Sequence, residues 1–131
     1  MMDLDRIDHV VFTVRDIAET CDFYTRALGM AVITFDNGRR ALQVGQCKIN
    51  LHQVGHEFEP MAAQPLLGSQ DICLVSASPL SEVISHLRGA GIKIIEGPVP
   101  RTGALGPMES VCLRDPDGNL IEVACYAATA V

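Results

Sequence analysis

Tryptophan is absent from this 131-residue sequence, and aromatic residues make up only 5% of it. A core must therefore be built mainly from aliphatic side chains, which the 48% apolar content supplies. Positive charge is also scarce, and the formal net charge is −6. That balance argues against a nucleic-acid partner, because binding a phosphate backbone needs a basic patch. It leaves small anionic ligands open, since a few local cations suffice for those. No apolar run approaches the roughly 20 residues of a membrane span. Met1 to Arg6 lacks the apolar segment of a signal peptide, so the expectation is a cytoplasmic protein with no membrane partner. The five cysteines are odd in number and contain no Cys-x-x-Cys pair; Cys47, Cys73 and Cys112 lie inside apolar runs. They are expected to be reduced and mostly buried thiols. No phosphate-cradling glycine motif and no Ser/His/Asp nucleophile set is visible.

What is present is a repeat. Ile7 to Val14 reads as a strand, Asp16 as a helix cap, and Ile17, Cys21, Tyr24 and Leu28 recur at helical spacing before the stop at Gly29. Three strands follow: Ala31 to Phe35, Arg40 to Val44 and Lys48 to Gln53, the first two joined by the Asp36-Asn37-Gly38 turn. After an irregular stretch the same order recurs. Asp71 to Val75 is a strand, Ser78-Pro79 opens a helix with its stripe on Leu80, Val83, Ile84 and Leu87, and Gly89-Ala90-Gly91 ends it. Ile92 to Glu96, Met108 to Leu113 and Leu120 to Cys125 read as strands, the last two joined by the Asp115-Pro116-Asp117-Gly118 turn. The Gly/Pro-rich run Gly97 to Pro107 reads as a loop, either a lid or a plain hairpin connection with Arg101 exposed on it.

The halves align at an offset of about 62 residues, and neither is large enough to bury a sheet alone. The expected fold is α+β: two βαβββ modules forming a curved mixed eight-stranded sheet with helices outside and a concave ligand cavity. One domain is expected, with module one at about 5–54, a linker at about 55–69 and module two at about 70–126.

Strand alternation then sorts side chains by face. With Val10, Phe12 and Val14 packed inward, His9, Val11 and Thr13 face the hollow. With Ile49 and Leu51 inward, Lys48, Asn50 and His52 face it; likewise Asp71 and Cys73 from the fifth strand and Glu122 from the last. His9 and Asp71 occupy equivalent places in the two repeats, as do His52 and Glu122. Imidazole and carboxylate donors suit a divalent ion such as zinc, nickel, cobalt, manganese or iron. Taken singly, each residue has a duller reading: a half-buried strand histidine, an Asp71 capping its strand, or a Glu122 in an ion pair with Lys48 or Arg114. Lys48, Asn50, Thr13 and, as an anion clamp, Arg101 are the candidates to meet a small-molecule substrate. Phe23 and Tyr24 fit the helix core, and His56 and His86 read as solvated.

Several stretches are similar to a known family. Asp8-His9-Val10-Val11-Phe12-Thr13-Val14, Phe23-Tyr24-x-x-x-Leu28-Gly29-Met30 and Arg114-Asp115-Pro116-Asp117-Gly118-Asn119-Leu120-Ile121-Glu122 resemble the vicinal oxygen chelate superfamily. That group includes glyoxalase I, fosfomycin-resistance proteins, bleomycin-resistance proteins and extradiol dioxygenases. Asn50-Leu51-His52, Gly55-His56-Glu57-Phe58-Glu59-Pro60 and Glu96-Gly97-Pro98-Val99-Pro100-Arg101-Thr102-Gly103 look like the glyoxalase domain-containing protein five subfamily and its bacterial relatives. The resemblance covers nearly the whole chain. It implies paired βαβββ modules, usually in a homodimer, with metal ligands at His9, His52, Asp71 and Glu122 and with Glu122 or Asp71 as the catalytic base. It implies glyoxalase-type lyase or isomerase chemistry, with an extradiol-type dioxygenase or a metal-free drug-binding protein of the bleomycin-resistance type as alternatives. The sequence departs from bacterial glyoxalase I, whose ligand set resembles His/Glu/His/Glu, at the second and third places, here His52 and Asp71, and also at Thr13, where that enzyme has an arginine, and at His56, where it has an asparagine. Glutathione recognition is therefore not carried over.

Overall fold

A computed structural model describes residues 1–127. The element order is β1 (His9–Val14), α1 (Ile17–Leu28), β2 (Ala31–Phe35), β3 (Arg39–Val44), β4 (Cys47–Gln53), β5 (Asp71–Val75), α2 (Leu80–Gly89), β6 (Glu96–Gly103), β7 (Gly106–Arg114) and β8 (Leu120–Tyr126). The two βαβββ modules are present, and their eight strands are hydrogen-bonded as two sheets of four, ordered β1-β4-β3-β2 and β5-β8-β7-β6. Each sheet is mixed: β1 runs parallel to β4 and β5 parallel to β8, while the remaining pairs are antiparallel. The chain divides into two compact units, Met1–Leu67 and Gly68–Val131. No described helix is long and apolar enough to cross a membrane.

In the first unit α1 packs on β2, β3 and β4. Its start is fixed by Asp16, whose carboxylate accepts from the Glu19 N–H at 2.9 Å. Its end is fixed by Gly29 at φ 66, a left-handed cap that costs glycine little. Thr20, Cys21, Phe23, Tyr24 and Ala27 turn inward from the helix, and Phe12, Val14, Leu42, Ile49 and Leu51 meet them from the sheet. In the second unit α2 packs on β7 and β8, but only Leu87 of the helix is buried and no side chain caps its start. Val111, Leu113, Ile121 and Val123 complete that core. The β7–β8 turn is held from inside. Asp115, 5% exposed, accepts from the backbone N–H groups of Asp117 and Asn119 at 2.9 Å each and from the Asn119 side-chain amide at 2.8 Å.

One region departs from expectation. Ile92 to Ile95 is not a strand, and Gly97 to Gly103, expected as a loop, forms β6 with Glu96. Two prolines disfavour a strand in general, yet β6 is the edge of its sheet, where a residue without an N–H is tolerated. The register shifts between Glu96 and Val99. Gly97 sits there at φ 107, so close to the Ser110 carbonyl that a Cβ would collide with it. The cysteines are all free, as expected, but only Cys21 and Cys112 are buried; Cys73 is exposed.

Candidate functional site

The open face of the first sheet carries a cavity of about 340 Å³. His9 and Val11 of β1, and Lys48, Asn50 and His52 of β4, line it by strand alternation. Arg39 of β3 and Phe35 of β2 join them across the sheet, and Phe58 reaches in from the segment after β4. Thr13 lies beside His52 in register but does not line the cavity.

The two imidazoles are held differently. His9 is exposed, and its Nδ1 stands 2.9 Å from the Asp8 carboxylate. The bond from His9 holds the Asp8 carboxyl below its usual range. A carboxylate on Nδ1 fixes the tautomer and leaves the Nε2 lone pair free for a ligand. His52 is 3% exposed. Burial, reinforced by the Arg39 guanidinium and opposed by Glu57, holds its pKa below the usual histidine range, so the ring is neutral near pH 7. Its Nε2 meets Arg39 only through a long 3.4 Å contact, and its Nδ1 is buried without a partner. Phe58 packs its ring edgewise on the imidazole, with centroids 5.5 Å apart.

The second sheet presents acids and thiols. Across β5, β8, β7 and β6 the register aligns Cys73, Glu122, Cys112 and Glu96 in one row. The buried Ser110 hydroxyl donates to Glu122 Oε2. The Cys73 thiol also bonds to Glu122. Partial desolvation of the thiol, although the residue as a whole is exposed, and then the Glu122 charge push its pKa up to about 11, so it stays protonated and can donate. Cys112 is raised by burial and the same carboxylate. Asp71 stands exposed at the start of β5, two residues before Cys73 on the same face. Arg101 lies on β6, not on a lid, and its guanidinium is engaged by Glu96 at 3.0 Å.

Each module thus brings two of the four expected donors to its own open face: His9 and His52 in the first, Asp71 and Glu122 in the second. Among the described residues no three His, Cys, Asp or Glu side chains stand together as a metal cage. The donors nonetheless suit a divalent ion: a neutral buried imidazole with an unpartnered nitrogen, a second imidazole oriented by a carboxylate, and two carboxylates.

Several contributors escaped sequence reasoning. Phe35 and Arg39 close the Asp36-Asn37-Gly38 hairpin opposite one another, so the turn already signalled their pairing. Asp8 was adjacent to His9 in the sequence, and Ser110 was the one hydroxyl within β7. Phe58 lies in an irregular segment with no periodicity to place it.

Comparison with known proteins agrees with this architecture. Residues 6–123 match the family model described as the Glyoxalase/Bleomycin resistance protein/Dioxygenase superfamily. Virulence protein STM3117 of Salmonella typhimurium is 52% identical over 125 residues, covering 95% of this chain and 87% of the relative. Its crystal structure superposes with a TM-score of 0.94, covering 96% of this chain and 100% of that one. Glyoxalase domain-containing protein RDO1 of Mycosarcoma maydis is 53% identical over 120 residues, covering 92% of this chain and 68% of the relative. An integron cassette protein from the mobile metagenome of V. cholerae is 49% identical, with a TM-score of 0.94 and coverage of 97% and 99%. Two βαβββ modules together with these matches across nearly the whole chain mean that it belongs to the glyoxalase/bleomycin resistance protein/dioxygenase superfamily.

Proposed function

We propose that the chain is a metal-dependent enzyme of glyoxalase type, a lyase or isomerase, acting as a homodimer on a small oxygen-rich substrate. Within the superfamily it is placed with the glyoxalase domain-containing protein five subfamily and its bacterial relatives, a placement supported by the 53% identity to a glyoxalase domain-containing protein. The observation that carries the reading is the pair of imidazoles on one cavity: His9 oriented by Asp8, and His52 neutral with a buried, unpartnered nitrogen.

His9, His52, Asp71 and Glu122 would hold the ion, a zinc, nickel, cobalt, manganese or iron. When bound, the ion supplies Lewis-acid stabilisation of negative charge on two neighbouring substrate oxygens. Glu122 takes a proton from the substrate and returns it, with Asp71 as the second candidate base. Ser110 and Cys73 donate to Glu122 and so orient its carboxylate. Lys48, Asn50, Thr13 and Arg101 position the substrate. Thr13 acts through the neighbouring His52, and Arg101 must exchange Glu96 for its ligand.

Exchange of substrate protons with solvent deuterium, followed by NMR on a panel of small hydroxyketones and dicarbonyls, tests this. The metal-reconstituted protein exchanges them, and E122Q loses about 10²-fold or more of that rate. Exchange that is indifferent to E122Q contradicts the reading, and oxygen uptake with a catechol replaces it with a dioxygenase. A second reading, metal-free binding of an aromatic drug, is favoured by Phe58, which stands 44% exposed at the cavity. It is the correct one if the protein binds such a ligand tightly and takes up no metal.

A further inference from the structure

The first-module cavity holds a cationic pair that the metal chemistry does not use. The Arg39 guanidinium lies over two rings, 4.2 Å from the Phe58 centroid and 5.2 Å from that of Phe35. The Lys48 ammonium sits 3.4 Å from the same Phe35 centroid. Ring faces attract cations and fix their position without neutralising them. Among the described residues no carboxylate comes within 4 Å of either cation, although Asp36 and Glu59 also line the cavity. Arg39 Nε is buried without an acceptor, and the buried Asn50 Oδ1 is without a donor. A buried polar atom left unsatisfied costs about 1–3 kcal/mol, so this cavity is built to receive partners. In a chain of net charge −6, Arg39 and Lys48 offset Asp36 and Glu59, so the lining is formally about neutral and its two cations stand on the sheet face itself.

We infer that this cavity binds a small hydroxylated carboxylic acid, its carboxylate on Arg39 and Lys48 and its hydroxyl donating to Asn50 Oδ1. The inference deepens the proposed function and rests on that reading for placing this cavity at the substrate site. Arg39 presents its donors in a planar fork that matches a carboxylate, and the Phe35 and Phe58 rings leave that fork little rotational freedom. A phosphate would gain as much from the Lys48 point charge, but its O–H shares one centre with its anionic oxygens, whereas a hydroxy acid sets a separate hydroxyl against Asn50 Oδ1. Arg39 therefore sets specificity for charge and Asn50 for the hydroxyl. The net acidity of the chain keeps larger polyanions away.

The test uses the full chain after chelator treatment, so that its outcome does not depend on any bound metal. L-malate, succinate, the neutral diamide malamide and inorganic phosphate are titrated against the thermal midpoint and by calorimetry at constant ionic strength. Malate binds saturably, succinate about tenfold more weakly for want of the hydroxyl, and malamide not measurably. R39Q weakens malate by about tenfold or more, and R39K recovers part of the loss through charge alone. K48Q has a smaller effect in the same direction, and rising salt weakens malate binding to the wild type. Each variant is first matched to the wild type in circular dichroism. Malamide binding as well as malate overturns the inference. So does phosphate competing on equal terms, an R39Q protein that is folded and binds malate normally, or the absence of saturation by about 20 mM. Failure here with metal uptake intact removes the carboxylate and leaves the metal enzyme standing; malate binding without metal uptake does the reverse.

Discussion

The two modules share one topology and differ in how they are finished. The first has a helix capped at both ends, with five of its residues buried, and an open face of bases: His9, His52, Arg39 and Lys48. The second has a shorter helix without a side-chain cap, one buried residue on it, and an open face of acids and protonated thiols: Asp71, Glu122, Glu96, Cys73 and Cys112. A repeat therefore fixes where side chains point, while residue identity at those places sets the sign of charge. His52 sits where burial, and then a guanidinium, lower its proton affinity, and Glu122 sits where a hydroxyl and a thiol donate to it. Among the described residues, neither set is a complete metal site alone.

The packing half of this comparison breaks most readily in the cores. Phe12→Ala removes a fully buried ring beneath α1 and lowers stability by about 3–5 kcal/mol, read from urea unfolding at constant slope. Leu87→Ala removes the one buried residue of α2 and falls toward the low end of about 2–5 kcal/mol, because its half-exposed helix neighbours can close the gap. A Leu87 cost above that of Phe12 would contradict the ranking of the modules. The chemical half is sharpened by Ser110→Ala, which frees the Glu122 carboxylate to rotate and weakens divalent-ion affinity by about tenfold, read by titration calorimetry. Unchanged affinity in a folded S110A protein would remove Ser110 from the site. The smallest contrast is at the helix starts. Asp16→Ala costs about 1 kcal/mol, while Ser78→Ala before α2 changes stability by less than about 0.5 kcal/mol, both from thermal midpoints.

Much of the fold was readable because two periods alternate cleanly along the chain. α1 and β2 fall on the residues their patterns mark, and the Asp16 cap, the Gly29 stop and the Asp115 to Gly118 turn act through the chemistry expected of them. The second module was harder to read at Gly97 to Gly103. Prolines and glycines there carry the composition of a loop, and only the sheet order makes the segment an edge strand. Of the candidate site, strand alternation put His9, Lys48, Asn50 and His52 on one face, and the cavity lies there. Alternation is blind to what reaches over a face. Arg39, held between Phe35 and Phe58, depends on a hairpin partner and an irregular segment, and one-dimensional periodicity encodes neither.

Elemental analysis of protein purified without added metal, repeated on H9A, H52A and E122Q, bears most directly on the central claim that imidazoles and carboxylates from both modules hold one ion. The account predicts a divalent transition metal near one equivalent per site in the wild type, and its loss in all three variants with their folds intact. Protein that carries no metal, and whose thermal midpoint is unmoved by zinc, nickel, cobalt, manganese or iron, would contradict it, as would variants that keep the wild-type content.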